Sequence, residues 1–207
     1  MFLTNDTLQA LSSPTTAAPQ SLSQQLLQRE TASHRVAELV ADITGQDAAD
    51  VLVQQGRQLL DDLSPQLARD DLPVCVSTMF GPSRLVDYLR ANMVMLVTLA
   101  ESVGEQPQTA TVAEVTRSLC AVLAERFPGR TVEVRVPPFA AVQVGSFGEG
   151  STHTRGTPPN VVEMDADTFL RLARGRLAWS DAAATGRLRF SGVHAPQTAR
   201  MLPLVRV

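Results

Sequence analysis

The clearest alternation in the chain runs through TVEVRVPPFAAVQV, where Val132, Val134 and Val136 interleave with Glu133 and Arg135. A period of two sends successive side chains to opposite faces, so this stretch predicts a strand with one apolar and one charged face. Pro137-Pro138 ends it, because proline has no N–H to give a ladder. Ala140–Val144 predicts a second strand, shorter and more apolar. The glycine-rich GSFGEGS at 145–151 predicts a hairpin loop. Residues 152–155 are placed to pair back, and 160–164 predicts the next strand. Asp165 is a suitable N-cap for a helix from Ala166. Phe169, Leu172 and Ala173 share one face of that helix, and Gly175 suits the left-handed position past its end. Ser180 predicts the cap of a second short helix, SDAAATG, which Gly186 ends. Leu188 and Phe190 then alternate with Arg187 and Arg189 in a last strand with its charges outward.

Upstream the period changes from two to that of a helix. Leu22, Leu26, Val36, Leu39, Val40 and Ile43 form a broken apolar stripe. Gly45 separates it from a second helix over 47–63, with Val51, Leu52, Leu59 and Leu60 inward. Residues 64–77 contain Pro65 and Pro73 and predict a connection. Gly81-Pro82 opens a third helix, with Pro82 in its first turn and Leu85, Tyr88, Leu89, Met93, Leu96 and Leu99 at helical spacing. Val103-Gly104 ends it. After a polar linker holding Pro107, Thr111 and Glu114 read as a capping box. The helix that follows aligns Val112, Val115, Leu119, Val122 and Leu123, and Pro128-Gly129 stops it. Residues 1–20 are rich in Ser, Thr, Ala and Pro without a period, which predicts a flexible tail. The expected organisation is α+β: tail 1–20, a helical domain 21–105, and an α/β domain 106–207.

The C-terminal pattern resembles the sterol-carrier-protein-2 (SCP-2) family, and more closely its actinobacterial branch. The resemblance is carried by VEVRVPPFAAVQV, HTRGTPPNVVE, FLRLARGRLAWSDA and ATGRLRFSG, with the repeated GRL at 175–177 and 186–188, and covers 112 to the end of the sequence. It implies a curved sheet with helices on one side, enclosing an apolar tunnel for lipids or other hydrophobic molecules. Val142, Val144, Phe169, Leu172, Leu177, Trp179, Leu188 and Phe190 have the residue types such a tunnel needs. Any α/β core needs the same types, and spacing does not distinguish a hollow interior from a filled one. His153 and Arg155 in HTRGTPPN are placed either as a polar mouth, with Arg155 pairing a carboxylate or phosphate head group, or as a loop held by its own hydrogen bonds. Thr152 and Thr154 have no adjacent base and orienter, so no nucleophile system is expected there. The apolar C-terminus, APQTARMLPLVRV, is expected to pack on the domain or to form a movable flap.

The helical half resembles the DinB-like four-helix bundle of mycothiol-dependent maleylpyruvate isomerases, whose divalent metal is held by His and Glu. Here GPSRLVDYLRANM supplies Gly81, Arg84 and Asp87 but no Trp, and Arg90 lies near where a His belongs. The N-terminal half has one His, His34, on another expected helix. A metal needs at least three converging ligands, so no metal site and no cofactor are expected.

Composition narrows the partners. The 207 residues carry a net charge of −3, which gives no broad basic surface for nucleic acid. All 18 basic residues are arginine, which no folding requirement explains and which fits GC-rich coding. Cys75 and Cys120 are in no metal or redox spacing and read as two thiols in a reducing cytoplasm. No apolar run approaches the roughly 20 residues of a membrane span, and no signal peptide is read at the N-terminus. The expectation is therefore a cytoplasmic protein that binds hydrophobic small molecules or lipids without catalysis, with a homodimer left open. The alternatives are a thiol-dependent isomerase or transferase relative with a degenerate metal site, and an interaction module with a solid core.

Overall fold

The structure, a computed structural model, describes residues 2–31, 49–102, 104–147 and 160–206. The chain is α+β and divides into two compact units, residues 1–92 and 93–207. The dividing line falls inside a helix, not in the polar linker at 105–110 where the sequence breaks.

The first unit holds α1 (Phe2–Leu11), α2 (Leu22–Thr31), α3 (Ala49–Leu67), a hairpin of β1 (Cys75–Thr78) and β2 (Gly81–Arg84), and the start of α4 (Leu85–Ser102). Three expectations change here. Residues 2–11, read as tail, are helical, because Ala10 is buried against Val76, Leu85 and Tyr88. The stretch 75–84, read as connection and helix start, is the hairpin, with Thr78 facing Gly81 across the turn. Gly81 has φ +102°, which a helix does not accept, so the helix begins at Leu85. Lanes from the N-terminal segment line both hairpin edges. Ser77 N–H donates to the Ser13 carbonyl at 2.8 Å, and Gln20 N–H donates to the Pro82 carbonyl at 2.9 Å. Helix α3 also runs through Pro65 to Leu67, past its expected end. The stripe on α4 departs from the expected one: Leu85, Tyr88, Ala91, Val94 and Val97 are buried, whereas Leu96 and Leu99 are about half exposed.

The second unit is a four-stranded sheet ordered β4-β3-β5-β6, from β3 (Val132–Val136), β4 (Ala140–Val144), β5 (Val161–Met164) and β6 (Leu188–Ser191). The strand β3 pairs antiparallel with β4 and parallel with β5. The alternation read from the sequence survives intact: Val132, Val134 and Val136 are buried with Val144 and Val162. The opposite face carries charge, with Arg135 bridging Glu133 at 2.8 Å. The hairpin joining β3 to β4 turns through Pro137-Pro138-Phe139, closed by Phe139 N–H to the Val136 carbonyl at 2.9 Å. The loop expected at 145–151 and the pairing segment expected at 152–155 lie outside the described residues from 148 on. Gly145 serves another purpose. A Cβ on Gly129 would lie 2.4 Å from the Gly145 Cα, so the entry to β3 and the exit of β4 pass closer than side chains allow.

Helix α5 (Thr109–Arg126) packs on β4 and on α6 (Ala166–Ala173). Its apolar face is the expected one, with Val115, Leu119, Val122 and Leu123 buried and Val112 half-buried. The capping box does not form, because the helix starts at Thr109 and its N-cap is Gln108. Asp165 does cap α6, accepting from Thr168 N–H at 2.7 Å. Ser180 caps nothing. It lies inside α7 (Trp179–Ala184), whose N-cap is Ala178. A 3-10 segment, Ala195–Met201, packs on β5 and β6.

Candidate functional site

The end of α6 sets the geometry of a concave surface in the second unit. Gly175 takes φ +73°. Its N–H reaches the Leu172 carbonyl at 3.2 Å, and Arg176 N–H reaches the Arg171 carbonyl at 2.7 Å. This is the double hydrogen bond of a Schellman stop, which turns the chain sharply out of the helix. Leu177 and Ala178 therefore leave α6 at a fixed angle and bring Trp179 back beside it. The C-terminal strand of chain is tied to the same place. Leu204 and Val205 both donate their N–H to the Ala173 carbonyl, at 2.8 and 3.1 Å, and Arg126 donates to the Leu204 carbonyl. The C-terminus thus packs on the domain.

Between these strands lies a groove of about 250 Å³. Leu172, Leu177, Trp179, Leu202, Pro203 and Arg206 are among the residues that line it. No carboxylate lines it among the described residues. Three residues of the expected ligand set therefore converge here. The others separate. Val144 and Phe169 are fully buried, and Leu172 shows only 2% of its surface. Val144 and Phe169 expose no surface, so no guest-sized space adjoins either side chain. Val142 is half-buried on β4, opposite Val134. Phe190 shares the apolar side of the sheet with Leu188, but β6 is an edge strand. Its ring is 45% exposed, and it lies 6.1 Å from the Trp179 ring. His153 and Arg155 lie outside the described residues.

Sequence reading missed two buried polar arrangements. Arg174 in the second unit has a fully buried side chain. It donates to the Leu170 carbonyl at 2.9 Å, to Thr98 Oγ1 at 3.0 Å and to Glu101 Oε1 at 2.6 Å. In the first unit, Arg29 reaches Asn92 Oδ1 at 2.6 Å and Gln25 Oε1 at 3.0 Å, beneath the Phe80 ring at 4.3 Å. Asn92 donates to Thr7 Oγ1 at 3.2 Å, and Tyr88 donates to Asp6 at 2.6 Å. Burial, partly opposed by the nearby Tyr88 and Asp6, lowers Arg29 to about 10. Burial together with the Asp6 hydrogen bond pushes the Tyr88 phenol well above its usual range. A polar residue on the inner side of an apolar stripe, such as Arg29 three residues after Leu26, was the available signal. Asp6 also lines an open trough of about 600 Å³ with Leu8, Ser12, Ser77 and Met79. No group of three or more His, Cys, Asp or Glu converges among the described residues. Gly81 and Arg84, compared above with a metal-binding helix, sit in β2. His34 lies outside the described residues.

Residues 108–204, just under half of the chain, match a family model described as a bacterial SCP ortholog. The C-terminal half is accordingly SCP-2-like. No curated protein matches the chain.

Proposed function

From a C-terminal half that is SCP-2-like, we propose that residues 106–207 bind hydrophobic small molecules without catalysis, in the groove beside Trp179. The family match supports lipid binding in general. The observation that carries the finer reading is the convergence of Leu172, Leu177 and Trp179 with Leu202 and Pro203 around one concavity. Ligand sites are concave and mostly apolar with a few polar groups; this groove is concave and small, with polar and apolar surface in near-equal shares. A ligand of about ten heavy atoms at roughly 0.4–0.5 kcal/mol per atom would bind with a dissociation constant on the order of a millimolar. Two free cysteines among the described residues and the lack there of any helix long and apolar enough to cross a membrane fit the cytoplasm as its compartment.

The chain has one tryptophan, so its emission comes from Trp179, a residue that lines the groove. Titration with 1-octanol is expected to shift that emission saturably, and Leu177→Asp is expected to abolish the shift. An unsaturable or absent response in the unaltered protein overturns the reading. The packed interior at Val144 and Phe169 favours a second reading, an interaction module whose domain is solid. That reading stands if no apolar probe binds.

A further inference from the structure

We infer that the first unit carries a site of its own: the trough beside α1 takes a primary ammonium group, and Asp6 is the residue that reads its charge. Asp6 shows only 7% of its surface, yet it lines a concavity of about 600 Å³. Its Oδ2 accepts the Tyr88 O–H at 2.6 Å. The Tyr88 side chain is fully buried, so this bond holds the carboxylate in place. Oδ1 takes no donor from the described residues and is not among their buried unpaired atoms. It therefore keeps contact with solvent, and the trough is the concavity that Asp6 lines.

The rest of the lining supplies acceptors. Ser12, Ser13, Ser77 and Thr78 bring hydroxyl groups. Ser12 spends its proton on the Leu8 carbonyl at 3.1 Å, and Thr78 spends its own on the Gly81 carbonyl at 2.8 Å. Both oxygens can still accept. No arginine or histidine lines the trough among the described residues. Arg29 attracts Asp6 from the buried side and tempers its pull on a ligand. The number of free carboxylate oxygens then selects among cations. A guanidinium pairs best through two parallel bonds, and Tyr88 already occupies one of the two oxygens. An ammonium needs a single carboxylate oxygen and can turn its other N–H groups to hydroxyls. Calcium or magnesium takes six or more oxygens, and only one carboxylate is present. Leu8 and Met79 offer apolar surface to the body of an amine.

The test uses the full chain, carbon-13 labelled at the methyl groups of its 6 methionines, with the Met79 signal identified by its loss in Met79→Leu. Butylammonium, butylguanidinium, butyltrimethylammonium, 1-butanol and butanoate are titrated at constant ionic strength. Butylammonium is expected to shift the Met79 signal saturably and to bind about fivefold more tightly than each of the other four. Asp6→Asn keeps an acceptor for Tyr88 and removes the charge. It is expected to weaken butylammonium about fivefold and to leave 1-butanol unchanged. Should that variant fail to fold, the ligand series on the unaltered protein decides the case. The inference is overturned if butylammonium gives no saturable shift, or if 1-butanol or butanoate binds as well, because charge is then not read. Equal binding of butylguanidinium overturns the choice of ammonium, and equal binding of butyltrimethylammonium shows that no N–H is read. Magnesium that displaces butylammonium assigns the trough to a metal instead. A folded Asp6→Asn with unchanged affinity removes Asp6 from the site.

Discussion

The ion pair between Arg174 and Glu101 makes an asymmetric prediction. Arg174 has no exposed side chain, whereas Glu101 is 34% exposed. The pair is closed at 2.6 Å, with further bonds from Arg174 to Thr98 and Leu170. Removing one partner of a fully buried pair costs ~3–5 kcal/mol, because the other charge is left in a medium that solvates it poorly. Exposed pairs are worth ~0–1 kcal/mol. Glu101 stands between these limits, so Glu101→Ala is expected to cost about 2–3 kcal/mol. Arg174→Met removes the charge that needs a partner and keeps the volume of the stem. Glu101 then turns to water. The Leu170 carbonyl keeps the helical N–H of residue 174 at 3.2 Å, so the cost should stay near ~1 kcal/mol. Guanidinium unfolding followed by Trp179 emission measures both. For a chain of this length the Glu101→Ala loss corresponds to roughly 4–12 °C in Tm. The reasoning is refuted if Glu101→Ala costs less than about 0.5 kcal/mol, or if Arg174→Met is the more damaging of the two.

Further outcomes concern the cap and the thiols. Asp165→Ala removes the acceptor of the Thr168 N–H and should cost about 1 kcal/mol by the same unfolding assay. Burial pushes the Cys120 thiol up to about 12. At pH 8.5 iodoacetamide should therefore label half-buried Cys75 and spare Cys120 until denaturant is added, as peptide mass spectrometry would show. The sign for stability follows. An acid whose folded value lies above its unfolded value of about 8.5 contributes constant stability below that pH, and the contribution is lost as the pH climbs towards 12. Relative to Cys120→Ala, the unaltered protein should lose stability over that alkaline window. A flat difference would refute the assignment to burial.

Legibility differed between the two units for a physical reason. The second unit was written locally. The Val132–Val136 alternation, the Asp165 cap and the Gly175 stop each depend on residues within a turn or a strand of one another, so neighbours along the chain carry the signal. In the first unit the deciding contacts are remote. Helix α1 lies where its sequence resembles a tail because Ala10 meets Val76 and Asp6 meets Tyr88. The hairpin at 75–84 hid behind Gly81-Pro82, which suits a helix start as well as a turn. The candidate site divided in the same way. Leu172, Leu177 and Trp179 come together because the Schellman turn is short-range and readable. Leu202, Pro203 and Arg206 join them from the far end of the chain, through hydrogen bonds to the Ala173 carbonyl that no local pattern announces.

The sequence by itself determined the α+β class and the apolar faces of β3, α5 and α6. Only the tertiary structure decided which of those side chains meet one another and which face a groove. Hydrophobicity commits a residue to leaving water, and the same leucine satisfies that demand in a packed core or along a cleft. The choice between them is made by volume, and volume is set by residues brought in from a distance.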